Sequence, residues 1–381
     1  QAWLESFISL PGPSGFENRI LDEISHILQP FFHRVERDTL QNHFFWRSCG
    51  QQQAPLVMIA VHIDEVGLYV HSIEPGGFLR VRAIGGVDPR IMLAQEWVVW
   101  PWQSHLEQSE HDGTETHAGN LPPGLPAICG VKPPHLLNAA DRERPIEIKD
   151  LFLDLGLPEK EVRDRLRVGD PITARSCTRN LLNGRLSGKS LDNRASAAVL
   201  CELCRLLWGE SRGMSATMPA DYDLVVVLTT QEELGLHGAQ VAARRLQPQV
   251  AIVCDVGFGD MPGQDKEDSI RLGEGPALTF GPNIHPGVRA RLEEAAQQAD
   301  LPVQFELAAG STGSDAWVIQ NSGLGVATAL LSIPLRYMHT PVETVDLADI
   351  HTSAHLLAAF LQSLDKEVLM TWNPAMDFPL N

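Results

Sequence analysis

A chain of 381 residues with 44% hydrophobic and 20% charged residues can fill one large core or two ordinary ones, and is too apolar for a disordered chain. Its 48 acidic against 30 basic residues give a formal charge of −18, which opposes binding to nucleic acid or anionic membranes, since both rely on neutralising phosphates. No apolar stretch reaches the roughly 20 residues of a membrane span. The opening lacks the basic-then-apolar pattern of a secretory leader, and six cysteines without a dense framework point to reduced thiols in the cytoplasm.

The first segment, AWLESFISLPGPSGFENRILDEISHILQPF, predicts a helix, a Pro/Gly break and a second amphipathic helix. LVMIAV at 56–61, DLVVVLTT at 223–230 and QVAIVCDVG at 249–257 are continuous apolar runs of the kind a strand needs when both faces are covered. Helical segments, DNRASAAVLCELCRLL and HGAQVAARRL, alternate with the later two runs. The expectation is an α/β fold with a mixed, mostly parallel sheet flanked by helices.

The middle has a different texture. FLRVRAIGG, EWVVWPW and PITA are short, alternating or β-branched, and only LPEKEVRDRL carries a helical period. This predicts a β-rich insertion over residues 67–174, leaving a catalytic domain made of 1–66 and 175–381. The polar, acidic stretch Gln103–Pro126 is expected to be a long exposed loop. Val98, Val99, Trp100 and Trp102 are expected either to form an apolar assembly surface or to belong to the insertion's own core. After residue 269, ALTF, VQFEL and GVATALLSI are strand-like, and DLADIHTSAHLLAAFLQSL is a final helix.

Polar residues interrupt the apolar runs where chemistry is expected, because open α/β sheets bind ligands beyond the carboxyl ends of their strands. His62 and Asp64 follow the first run, Glu232 and Glu233 the second, and Asp255 the third, with Asp192 ahead of a helix and His339 after a late apolar run. Singly, each has an ordinary explanation, such as a helix cap for Asp192. Together they supply hard oxygen and imidazole donors without thiolate, the set for a catalytic centre with Zn, Co or Mn. Three carboxylates and two imidazoles suffice for two ions if one carboxylate bridges, and Glu232 is then spare to handle a proton. Cys201 and Cys204 form a C-x-x-C inside an apolar helical pattern and are read as core. His351 and His355 lack the Glu of H-E-x-x-H and are read as a solvated pair.

Eleven motifs in order, PGPSGFE, HIDEVG, IGGVDPR, CGVKPPH, VGDPI, SGKSLDNRAS, QEELGLHGA, DVGFGDMPG, LGEGPAL, STGSDA and PLRYMHTPVETV, span most of the chain. Through them the sequence resembles the M42 metallo-aminopeptidases, which include the tetrahedral (TET) peptidases and glutamyl aminopeptidases. The resemblance implies a zinc-exopeptidase-like fold with an inserted barrel- or PDZ-like domain used in assembly. It also implies two divalent metal ions per subunit: Asp192 would bridge, His62 and Asp255 would complete one site, and Glu233 and His339 the other. Glu232 would be the general base, and Asp64 the acid that orients a ligating histidine. The Asp192–Asn193 peptide would be cis. Short peptides would be the substrates, and the chain would form a dimer-based homo-oligomer, up to a tetrahedral dodecamer. Two other readings stand beside this one. In one, Glu232 and Glu233 are the carboxylate pair of an endoglucanase-like glycoside hydrolase, which requires them to flank one bond. In the other, the fold serves a non-catalytic assembly protein.

Overall fold

The computed structural model describes residues 1–102, 123–138, 144–209, 221–265 and 269–372. After the two opening helices, Ala2–Ser9 and Asn18–Leu28, the chain forms an antiparallel hairpin of β1 (Arg34–Arg37) and β2 (His43–Arg47). The sequence reading had no strands here. The turn is local chemistry: the Asp38 carboxylate accepts hydrogen bonds from the backbone N–H groups of Leu40 and Asn42 at 2.9 and 3.0 Å. Next, β3 (Leu56–His62) takes up the LVMIAV run.

The following six strands are β4 (Gly67–Ile73), β5 (Leu79–Ile84), β6 (Glu96–Val99), β7 (Leu125–Gly130), β8 (Phe152–Asp154) and β9 (Pro171–Ala174). They close into a barrel in the order β4-β5-β8-β7-β6-β9. Leu68, Val70, Leu79, Val81, Trp97, Val99, Leu153 and Ile172 fill its interior, as inward positions of alternating strands must. Val99 is fully buried there. Val98, Trp100 and Trp102 are only partly exposed. The Trp100 indole donates to Thr173 Oγ1 at 3.1 Å, and Trp102 stacks edge-on against Phe16 with ring centroids 5.4 Å apart. Of these four residues, Val99 alone belongs to the barrel's core cluster. Most of Gln103–Pro126 lies outside the described residues, but Leu125 and Pro126 belong to β7 and not to a loop.

The chain then returns through β10 (Arg179–Asn180), β11 (Arg185–Gly188), the helix Leu191–Trp208, β12 (Asp223–Thr229), the helix His237–Leu246 and β13 (Val250–Phe258). It ends with β14 (Ala277–Phe280), the helix Pro286–Gln298, β15 (Gln304–Leu307), β16 (Ala327–Leu335), β17 (Glu343–Asp346) and the helix Leu347–Ser363. Eight strands form one mixed sheet in the order β1-β2-β12-β3-β13-β16-β14-β15, whose central strands β12, β3, β13 and β16 are mutually parallel.

The continuous apolar runs now have a physical reason. Val57, Ile59 and Val61 of β3 point into one core, under the helices Leu191–Trp208 and Leu347–Ser363, while Met58 and Ala60 point into a second core under His237–Leu246. A strand covered on both faces has no position free for a polar residue until it ends. Cys201 and Cys204 are buried, unpaired members of the first core. His351 and His355 lie exposed on the last long helix. Among the described residues no helix is long and apolar enough to cross a membrane.

Candidate metal centre

The parallel register brings the polar strand ends to one crevice. Thr229 of β12 lies opposite His62 of β3, so the residues that follow, Glu232 and Glu233, stand beside those after His62. Asp255 is on the neighbouring strand β13. Asp192 arrives from the start of the Leu191–Trp208 helix, through a cis Asp192–Asn193 peptide, and His339 from the connection between β16 and β17.

Five side chains meet as two groups of three that share one member. His62 Nε2 lies 3.2 Å from Asp192 Oδ1 and 3.4 Å from Asp255 Oδ1. His339 Nε2 lies 3.3 Å from the other Asp192 oxygen, Oδ2, and 3.2 Å from Glu233 Oε1. Both groups, His62–Asp192–Asp255 and Asp192–Glu233–His339, have ligand atoms within 4.8 Å of one another. Asp192 thus turns one oxygen to each group, and a bridging carboxylate must do the same.

The electrostatics call for cations. Burial lowers the affinity of His339 for a proton, but its bonds to Asp192 and Glu233 outweigh that and push it up to about 11. His62, also buried, is likewise raised by Asp255 and Glu232. Burial alone would raise Asp192, yet hydrogen bonds from His339 and His62 hold it below the ordinary carboxylate range. Three carboxylates drawn against two imidazoles in a buried crevice concentrate negative charge, and hard oxygen and imidazole donors so placed fit divalent metal ions.

Glu232 stands apart from both groups. Burial, with Asp255, Asp315 and Glu233 nearby, pushes it up to about 10 against the opposing effect of His62. Asp64 is fully buried beneath it. Its Oδ1 lies 3.5 Å from His62 Nδ1, longer than a hydrogen bond, so the attraction there is through charge. Its firm bonds go elsewhere: Oδ1 accepts from the Glu232 N–H at 3.0 Å, and Oδ2 from the Glu233 N–H at 3.1 Å and Ser14 Oγ at 2.6 Å.

Several further residues support the centre without a role legible in the sequence. Glu17 Oε1 accepts from the Gly15 and Gln231 N–H groups at 2.8 and 3.1 Å, fastening the PGPSGFE loop to the QEE turn. Glu65 is buried between Lys189 and Arg194, at 2.7 and 2.8 Å. The guanidinium of Arg194 also donates to the Phe7 and Leu10 carbonyls at 2.6 Å. From the barrel, the Gly86 carbonyl lies 3.2 Å from His339 Nδ1, which leaves Nε2 for the carboxylates. The paired glycines of IGGVDPR permit that approach: a Cβ on Gly85 would stand 3.3 Å from Glu233 Cβ, and one on Gly86 3.1 Å from the His339 ring. The GG dipeptide was the available signal; the acids gave none, because Gln231, Lys189 and Arg194 lie far from them along the chain.

Comparison with known proteins bears on these observations. The family described as M42 glutamyl aminopeptidase matches residues 42–107 and 115–356. The lysyl aminopeptidase of Pyrococcus furiosus is 34% identical over 368 residues, covering 95% of this chain and 96% of its own. An aminopeptidase structure from the archaeon Desulfurococcus kamchatkensis superposes with a TM-score of 0.83 at 31% identity, covering 97% of this chain and 96% of the other. The TET1 peptidase of Pyrococcus horikoshii, described as assembling into a tetrahedron or a large octahedral shell, has a TM-score of 0.76 at 25% identity and coverage of 95% and 99%.

Proposed function

The chain belongs to the M42 glutamyl aminopeptidase family, and from that premise we propose that it is a two-metal aminopeptidase that removes N-terminal residues from short peptides. The observation that carries the reading is Asp192, whose two oxygens face separate His/carboxylate groups. His62, Asp192 and Asp255 would hold one ion, and Asp192, Glu233 and His339 the other, with Zn or Co favoured and Mn compatible. Bound there, such ions supply activation of water and stabilisation of the negative charge that develops on a peptide carbonyl.

The rest falls to the chain's own groups. Glu232 takes the proton from the attacking water and returns it to the leaving amine. The burial and neighbouring carboxylates that hold Glu232 high are opposed once cations neutralise those neighbours, which brings it into the range of a working base. Asp64 fixes the backbone of Glu232 and Glu233 together, so base and ligand keep one geometry. The glycosidase reading employs only Glu232 and Glu233 and leaves His62, Asp192, Asp255 and His339 without a task.

The reading is tested with a dipeptide and its N-acetylated counterpart. Chelation should abolish cleavage of the free peptide, Zn or Co should restore it, and acetylation should reduce it sharply. Full activity in rigorously metal-free protein sinks the proposal.

A further inference from the structure

We propose that Glu343 is a positioning residue for the centre, a single buried carboxylate that sets both Asp192 and His339; the inference rests on the metal reading given above. Glu343 is 2% exposed, at the first position of β17. Its Oε2 accepts from the Asp192 N–H at 3.0 Å and its Oε1 from the His339 N–H at 2.7 Å. One side chain therefore spans two chain segments that are 147 residues apart in sequence, 339 less 192.

The strand register shows how it gets there. β17 pairs antiparallel with β11, Glu343 opposite Gly188, and β11 runs directly into the segment ending at Asp192. On its other side, the Arg336 and Thr344 backbones exchange hydrogen bonds of 3.0 Å each way, just ahead of His339. β17 is thus stitched between the two ligand-bearing segments, and its first side chain closes the remaining gap.

The need for it is visible in the backbone. His339 has φ +61° and Tyr337 φ +60°, a left-handed conformation that is unfavourable for a non-glycine residue and persists only when its surroundings enforce it. The hydrogen bond from the His339 N–H to the buried Glu343 Oε1 is such an enforcement. Asp64 performs the corresponding task opposite, where it takes the N–H groups of Glu232 and Glu233. Two buried carboxylates together brace the backbones of three of the five ligands. Since Asp192 faces both groups, a displaced Glu343 would disturb both, and the group with His339 the more.

The test is metal binding by chelator-stripped protein, titrated with Zn or Co while circular dichroism and thermal melting monitor folding. Glu343→Gln replaces one acceptor oxygen with an amide that cannot accept, leaving one backbone N–H unpaired. The expected result is a 10- to 100-fold weaker affinity, the usual range for groups that orient ligands, with the loss greater for one ion than for the other. Glu343→Asp keeps the carboxyl group but shortens the reach; it should show the same unequal loss, and decides the matter if the Gln variant does not fold. Unaltered affinity at both sites in a folded variant overturns the proposal, as does a lowered melting temperature with metal binding intact. A raised KM with unchanged metal affinity and kcat also overturns it, by making Glu343 a substrate contact. If the unsubstituted protein binds no metal, it is the two-metal function that fails, so the two readings fall separately.

Discussion

Between residues 67 and 174 the only buried polar side chains among the described residues are Asp170 and Thr173, whereas the crevice beside β3, β12 and β13 buries Asp64, Glu65, Asp192, Glu232 and Asp255. Each buried carboxylate costs free energy unless it is paired or coordinates a cation. The barrel spends almost none of its interior that way, and packs Leu, Val, Ile and Trp as a small closed sheet should. The large sheet carries the same kind of apolar packing in its middle and departs from it most heavily at the carboxyl ends of β3, β12 and β13. Concentrated departures of this sort separate chemistry from scaffold more sharply than fold class does. The barrel nevertheless reaches the chemistry, through the Gly85–Gly86 loop that meets Glu233 and His339 and through Val87, Ile91 and Trp97, which line one cavity with Asp192, Glu233 and His339.

The contrast can be broken by substitution, and the largest effect is expected in the crevice. Glu232→Gln should lower kcat by about 10²–10⁴ while metal content persists. Glu233→Gln should instead reduce metal occupancy, because its carboxylate sits 3.2 Å from His339 Nε2. Metal analysis alongside kinetics distinguishes them, and a reversed pattern exchanges the roles of base and ligand.

A change of intermediate size is expected from the barrel core. Leu153 is fully buried there, and Leu153→Ala should cost about 2–5 kcal/mol of stability. Urea denaturation measures that cost, and a Zn titration of the same folded variant should match the parent. If metal affinity fell in parallel, the barrel would be part of the centre and not a scaffold beside it.

The smallest effect concerns assembly. The TET1 peptidase of Pyrococcus horikoshii is described as assembling into a tetrahedron or a large octahedral shell, and salt tests whether this chain does anything comparable. Each chain carries a formal charge of −18, so raising the salt from about 0.01 to about 1 M, which shortens the screening length from about 30 to about 3 Å, should move the population modestly toward larger species. Light scattering after size exclusion reads this directly, and a fully active monomer at micromolar concentration would rule out the assembly.

The sequence by itself determined which segments become the central strands, because Val57–Val61, Leu224–Leu228 and Val250–Cys254 tolerate no exposed face. It also marked the chemistry: His62, Asp64, Glu232, Glu233 and Asp255 are ionisable residues just beyond those runs, and a sheet gathers the ends of its parallel strands on one edge. The hairpin β1–β2 was not legible, since HFFWR packs against β12 in a pairing that local periodicity does not encode. Nor was the fate of Trp100 and Trp102, whose partners Thr173 and Phe16 lie on distant segments. Glu343 is the plainest case. Its carboxylate binds two backbone N–H groups, which are the same in every residue except proline, so no side chain pattern announces them. Only the register of β17 between β11 and the approach to His339 decided what that acid would hold.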